Sequence, residues 1–248
     1  MTISIITATY NSAATLRDSL ECISKQKYPG IEHIIVDGGS TDNTLRIVDD
    51  FPHIEKVISE KDNGIYDAMN KGIRMSSGDI IGILNSDDMY TDDLVLSEVA
   101  KAFQDPAVMT VYGDLQYVDQ ADITKIIRTW KTGPYQRKNF YYGWMPPHPT
   151  FFVRKEVYDR AGLFVTSLRS AADYELMLRI LLKFGMSAFY IPRVLVKMRA
   201  GGVSNSSIWN RLRANKEDRL AWKLNNVKPY FFTLFVKPLR KIPQFIFK

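Results

Sequence analysis

Two adjacent carboxylates, Asp87 and Asp88, follow the apolar run Ile80-Ile81-Gly82-Ile83-Leu84 through Asn85 and Ser86. Carboxylates suit a hard divalent cation, and a cation held this way can grip a diphosphate. The apolar run reads as a buried strand of a parallel sheet. Ligands of open α/β sheets bind in the crevice at the carboxyl ends of such strands. The plainer alternative is an acidic turn, since Asp and Asn are common turn residues. Two further apolar runs end in the same manner. Residues 3–8, with Thr7 inside the run, lead to Thr9, Tyr10 and Asn11. Ile34-Ile35-Val36 leads to Asp37-Gly38-Gly39-Ser40-Thr41-Asp42. Three strands ending in polar groups can converge on one cleft.

The elements that must position these groups follow from pattern. Strands are expected near residues 3–8, 31–36, 54–58 and 79–84, with helices near 12–25, 42–50, 65–76 and 92–103. Short apolar runs alternating with helical stretches predict βαβ units and a parallel sheet. Short strands are expected at 108–112 and 114–118, and 123–130 suits a hairpin arm. Met145-Pro146-Pro147-His148-Pro149 must be a loop, because proline blocks both helix and central strand. It leads to a strand at 150–153. A helix is predicted over 173–184, and late strands over 187–191 and 194–198.

The Thr-Tyr-Asn end of the first strand, the Asp-Gly-Gly-Ser-Thr-Asp turn, the segment Asp62-Asn63-Gly64-Ile65-Tyr66-Asp67-Ala68-Met69-Asn70-Lys71-Gly72-Ile73 and the strand ending in Asp-Asp occur in one order. In that order and spacing the chain resembles the glycosyltransferase family 2 enzymes, inverting enzymes of bacterial surface-polysaccharide synthesis with the GT-A fold. The resemblance covers roughly residues 1–205. It implies an α/β fold with a Rossmann-like, mostly parallel sheet flanked by helices. It divides the chain into a nucleotide-sugar half (1–110), an acceptor half (111–205) and a basic, aromatic extension (206–248).

The resemblance also assigns roles. Asp37 would accept a hydrogen bond from the nucleotide base, with Thr7, Thr9 and Tyr10 flanking that base. Ser40 and Asp42 more simply shape the turn and cap the next helix. Asp87 and Asp88 would hold one Mg²⁺ or Mn²⁺, with Asn85 and Ser86 beside the donor. Asn85 departs from the carboxylate of many members. An amide oxygen can still ligate a metal or bond a sugar, without charge. Asp67, Asn70 and Lys71 would reach the donor from a helix. Met69 stands where many members have Arg, so Lys71 is the substitute cation; Asp67 and Lys71 could also simply pair, four residues apart. Asp173 matches the acceptor-side general base, although Ala172 replaces the Glu of many members, and Asp before a helix also suits an N-cap. Glu175 reads as a first-turn charge set against the helix dipole. His148 would lie beside donor and acceptor, Trp144 would wall the acceptor site, and Arg199 in the loop 199–205 would close over the diphosphate.

Composition bounds the rest. A 248-residue chain that is 46% hydrophobic fits one large soluble domain. The single Cys22 excludes an internal disulfide and fits a reducing compartment. The sequence shows no signal peptide, and no stretch nears the ~18 to 20 apolar residues of a membrane helix. The net charge of +6 is uneven: residues 205–248 carry ten Lys or Arg against Glu217 and Asp218 alone. With Trp209, Trp222 and several Phe interleaved, that tail suits an anionic interface. The expected setting is the cytoplasm, at the inner face of the cytoplasmic membrane, and the resemblance implies a nucleotide-sugar donor (UDP-linked) and a glycan or lipid-linked acceptor. Two alternatives differ in class. A nucleotidyltransferase acting on sugar phosphates would carry a Gly-rich basic loop after the first strand, which residues 7–13 lack. A nucleic-acid-binding module could use the basic tail, but would leave the acidic cleft without a purpose.

Overall fold

The computed structural model describes residues 1–201, 208–240 and 242–245. Its centre is one nine-stranded sheet. β1 (Ile3–Thr9), β2 (Ile31–Asp37), β3 (Ile54–Ser59) and β4 (Ile80–Ile83) form a parallel half in the order β3-β2-β1-β4. β1 and β4 are buried along their whole length, which is why apolar residues dominate them. β3 is the edge, and its exposure alternates residue by residue.

Beyond β4 the sheet is mixed. β8 (Phe152–Arg154) pairs antiparallel with β4, and β6 (Thr110–Val118) pairs antiparallel with β8. β9 (Ala188–Arg199) lies parallel to β6 and antiparallel to β5 (Asp88–Tyr90). β7 (Ile126–Trp130) returns on β6 as the expected hairpin arm. The two short strands expected over 108–118 are one strand, with register shifts flanking Asp114. The late pair is likewise one twelve-residue strand through Pro192.

Helices cover both faces. α1 (Leu16–Ser24), α2 (Thr44–Asp49) and α4 (Val95–Ala102) pack on one side, through Leu16, Leu20, Val48, Val95 and Val99. α3 (Ile65–Met75) covers the other side of β1 and β2 through Ala68, Met69 and Ile73. Its approach is close: a Cβ on Gly72 would stand 2.4 Å from Ile6 Cγ2. α5 (Lys155–Ala161), a helix with no forecast in the sequence, follows β8. α6 (Ala172–Met177) runs into a wider-wound turn, Leu178–Lys183, and both bury their apolar side in the same core.

The boundary expected at residue 206 is not a structural one. α7 (Ile208–Leu224) and α8 (Thr233–Leu239) pack on the body. Trp222 is fully buried and donates to the Tyr174 hydroxyl (3.0 Å), and Lys237 pairs with Asp218 (2.6 Å) while lying over the Tyr174 ring. Part of the tail's charge and aromatic content is therefore core and intramolecular pairing. The glycine-rich part of the loop after Arg199 (residues 202–205) lies outside the described residues.

Candidate active site

The loops that follow β1, β2 and β4 are tied to one another. Asn11 donates its backbone N–H to Ser40 Oγ (2.8 Å), and its side-chain oxygen accepts from Thr41 N (2.9 Å). Ser12 N–H reaches Thr44 Oγ1 (2.8 Å), and Asp42 accepts from Ala13 N (3.1 Å) and Thr44 N (3.0 Å). Ser86 donates to Ser12 Oγ (2.9 Å). The three polar strand ends thus form one wall, as the sequence pattern requires, and Ser40 and Asp42 serve the loops.

Asp37 is spent on that architecture. It is fully buried and accepts from Gly39 N (3.1 Å), Ser40 N (2.9 Å) and Ser59 Oγ (2.6 Å), with Ser40 Oγ on its other oxygen. Gly39 takes a φ of +83° to let this happen. These bonds give the carboxylate a loop-setting role. Thr7 also departs from expectation: it is buried and meets His33 Nε2 (3.1 Å) inside the sheet layer. Thr9 keeps a buried hydroxyl without a partner, and Tyr10 is 62% exposed. The ring of Tyr10 flanks Gly38, and Asp62 lies beside it. Lys71 pairs there with Asp62 (2.5 Å) and Glu60 (2.8 Å), within 3.9 Å of Asp67, while Asp67 accepts from Asn63 N (3.1 Å) to close the first turn of α3. Opposite charges hold Lys71 protonated, so it is a neutralised cation at the cleft mouth.

The two acids after β4 differ in access. Asp88 is fully buried in β5, receives Asn85 Nδ2 (3.2 Å) on one oxygen and has no partner on the other. Burial, then the neighbouring Asp87 charge, pushes its pKa well up. Asp87 keeps partial exposure; burial raises its pKa and Arg199 opposes that. Arg199 is brought in by β9 and is nearly buried. It bonds Asp18, the Asp87 carbonyl (3.2 Å) and the Gln120 carbonyl (3.3 Å), and so anchors the acidic loop rather than standing free. Asp18 had no role in the sequence reading.

A divalent cation can be tested against these residues. The orphaned, buried oxygens of Asp88, Asn85 and Thr9 show polar capacity that the protein leaves unused. Among the described residues no three His, Cys, Asp or Glu side chains gather as a metal cluster. The donor set, one accessible carboxylate backed by a second, therefore fits a hard cation that takes further ligands from a bound diphosphate.

The opposite wall comes from α3, the proline loop and α6. Asp173 stands in the first turn of α6, whose N-cap is Ala171, so it is not the cap. Its carboxylate accepts from the Tyr66 hydroxyl (3.3 Å). Phe164 stacks on Tyr66 (5.5 Å) and meets the His148 ring edge-on (5.6 Å). Burial lowers the His148 pKa and the Asp173 charge opposes that. Tyr66 was not foreseen as a site residue.

Two further expectations are corrected. Trp144 is buried among Tyr112, Tyr135 and Phe140 and donates to the Thr132 carbonyl (2.8 Å), so it has no face for an acceptor. Asn70 clips the Phe164 backbone through both its amide atoms (2.9 Å each) instead of reaching the donor. Glu175 lies in the first turn of α6 as expected, and is buried there, paired with Arg179 (2.7 Å) and Asn225 (3.1 Å).

The chain is similar to a PGL/p-HBAD biosynthesis glycosyltransferase of Mycobacterium tuberculosis (strain ATCC 25618 / H37Rv), 29% identical over 83% of this chain and 80% of the relative. Glycosyltransferase GlyG of Streptococcus pneumoniae serotype 4 is 32% identical over 48% of this chain and 41% of its own length. Among solved structures, S. aureus TarS 1-349 superposes with a TM-score of 0.68 at 17% identity, covering 98% of this chain and 72% of that one, and has been solved with UDP and with UDP-GlcNAc. A mannosyltransferase from Pyrobaculum calidifontis, in complex with GDP-Man and Mn²⁺, superposes with a TM-score of 0.66 at 21% identity, covering 97% and 69%. The fold is thus that of the GT-A glycosyltransferases. Residues 4–162 match the profile of "Glycosyl transferase family 2", and the chain belongs to that family.

Proposed function

We propose that the chain is an inverting glycosyltransferase, moving a sugar from a UDP-linked donor to a hydroxyl of a glycan or lipid-linked acceptor in surface-polysaccharide assembly. Family membership displaces the nucleotidyltransferase alternative. The observation that carries the reading is Asp173, a first-turn carboxylate that accepts from the Tyr66 hydroxyl. In this reading its oxygen takes the proton of the acceptor hydroxyl. That oxygen attacks the anomeric carbon while the bond to the diphosphate oxygen breaks, and the electron pair leaves with the diphosphate. One displacement inverts the anomeric centre. Tyr66 orients Asp173, and His148 and Phe164 enclose the acceptor side. Tyr10 offers its exposed ring to the base, with Thr9 beneath. Mg²⁺ or Mn²⁺, held by Asp87 with Asp88 and Asn85 behind it, supplies Lewis acidity to the leaving diphosphate when bound.

Thermal melts with UDP, GDP or dTDP, each with Mn²⁺ and with EDTA, test this. A ligand at 100 times its Kd adds about 2.7 kcal/mol. The expected result is a metal-dependent shift with UDP that disappears in Asp87→Ala. Asp173→Asn should keep the shift and lose sugar transfer. No shift with any nucleotide sinks the reading, and a shift with GDP alone replaces the base.

The reading extends to the membrane. Among the described residues no helix is long and apolar enough to cross one. Phe231 is 90% exposed, and Phe235, Leu239, Ile242 and Phe245 continue that surface beside Arg240. An exposed aromatic and basic surface of this kind suits peripheral contact with anionic lipid at the inner face of the cytoplasmic membrane. Because α8 packs on the body, point variants are the right probe: Phe231→Ser with Phe235→Ser should abolish pelleting with phosphatidylglycerol vesicles, and unchanged pelleting refutes the contact.

A further inference from the structure

A groove of about 620 Å³ opens between the 167–169 segment and the outer face of α7. Five cationic side chains line it: Arg169, Arg213, Lys216, Arg219 and Lys223. Among the described residues none of the five makes an ion pair, whereas Lys71, Arg179, Arg193 and Lys237 are each matched by acids. Four of the five sit three or four residues apart along α7. Like charges at that spacing oppose helix formation. No acid but Glu217 shares the groove with them, so the patch suits an anion. The groove's single acid, Glu217, is engaged: it accepts from Ser170 N (2.7 Å) and Ala171 N (3.2 Å). That bond fixes the groove to the turn that begins α6, two residues before Asp173. The Tyr66 hydroxyl, which donates to Asp173, also feels the charge of Glu217. The groove and the acceptor side of the cleft are therefore neighbours.

We infer that this groove binds a phosphate or diphosphate group of the acceptor, so that the substrate receiving the sugar is an anionic one. The inference rests on the transferase reading. Arg219 and Arg213 supply paired N–H donors of the geometry that phosphate oxygens accept, and the lysines add point charge. Leu220, 41% exposed, supplies an apolar wall beside them. The chemistry is shared by an isoprenoid diphosphate and by a phosphate within a glycan.

Calorimetric titration of the full chain with inorganic pyrophosphate in EDTA tests the inference. Wild type and Asp87→Ala should bind it alike, since the groove is not the donor site. Arg213→Gln with Arg219→Gln should bind it at least about tenfold more weakly, from the loss of two charge-assisted contacts. The same double variant should keep the UDP-dependent thermal shift in Mn²⁺. Failure of that shift in wild type would be a failure of the transferase reading, separate from the groove. Geranyl diphosphate binding more tightly than pyrophosphate identifies a lipid-linked acceptor; equal binding identifies a phosphate in the glycan. Pyrophosphate binding that is absent in wild type, or unaffected in the double variant, overturns the inference. So does groove-dependent binding of a single-stranded oligonucleotide or of phosphatidylglycerol vesicles without pyrophosphate binding.

Discussion

Gly72→Ala tests whether the spacing between α3 and β1 sets the site. The new methyl carbon would stand 2.4 Å from Ile6 Cγ2, 3.1 Å from Cγ1 and 3.3 Å from Cβ. Two carbons rest at ~3.5 Å, so the contact is short by about 1 Å. Ile6 is fully buried between strands and cannot swing away, so the helix must move. Alanine at a helical glycine otherwise gains about 1 kcal/mol. Overpacking of a tight core costs about 1–3 kcal/mol, and a backbone shift puts this case at the upper end. The expected net loss is roughly 1–2 kcal/mol, or about 2–8 °C in Tm for a chain of this size. The functional cost should exceed the thermal one. α3 carries Tyr66, whose bond to Asp173 is already 3.3 Å, and Asn70, which clips Phe164. A displacement of ~1 Å at such a site costs on the order of 100-fold in kcat, read as UDP release with acceptor present. Ile6→Ala added to Gly72→Ala makes room for the methyl and should recover much of the activity. If Gly72→Ala is as active and as stable as wild type, the close approach does not govern the site.

Glu175→Ala should be among the costliest single changes. It leaves the Arg179 guanidinium, 12% exposed, without its carboxylate; breaking a buried pair costs ~3–5 kcal/mol, and a urea midpoint change worth under ~1 kcal/mol would refute the pairing's role. Acid should weaken the fold through His33. Burial, then the adjacent His53, holds that ring at about 3 rather than 6.5, so the unfolded chain takes up a proton in that window that the folded chain refuses. The contribution is intact above pH ~6.5 and falls by up to about 1.4 kcal/mol per pH unit as pH drops towards ~3. Urea melts at several pH values should show this slope, and His33→Leu should flatten it; equal slopes in both proteins would assign the acid sensitivity elsewhere.

The parallel half was legible because β1, β2 and β4 are buried on both faces, so apolar residues dominate them, and their polar ends fall where the chain leaves the sheet. The mixed half was harder to read. Gly113 and Pro192 break the apolar pattern of β6 and β9, yet each strand continues across its interruption, with register shifts between Tyr112 and Leu115. α5 is short and polar, with little periodicity to detect. Among site residues, Asp87 and Asp173 could be found from their places at a strand end and a helix start. Tyr66 could have been found too, since it stands one residue before Asp67 on the same helix. Trp144 was misplaced because an aromatic's type does not say which side it faces. Glu175 was placed in the first turn, but its buried pairing with Arg179, four residues on, was not foreseen. Asp37 shows the limit of loop motifs: the same Asp-Gly-Gly-Ser serves a ligand contact or its own turn, and only the bonds decide.

The staple from Glu217 to the start of α6 joins residues 46 and 47 positions apart in the chain. During synthesis the parallel half can close early, since β1 to β4 are all within the first 83 residues. The turn bearing Asp173 gains its carboxylate clasp only when α7 has left the ribosome. A nascent chain would therefore acquire the wall bearing Asp87 well before the wall bearing Asp173 is secured, so the two sides of the cleft are completed in a fixed order.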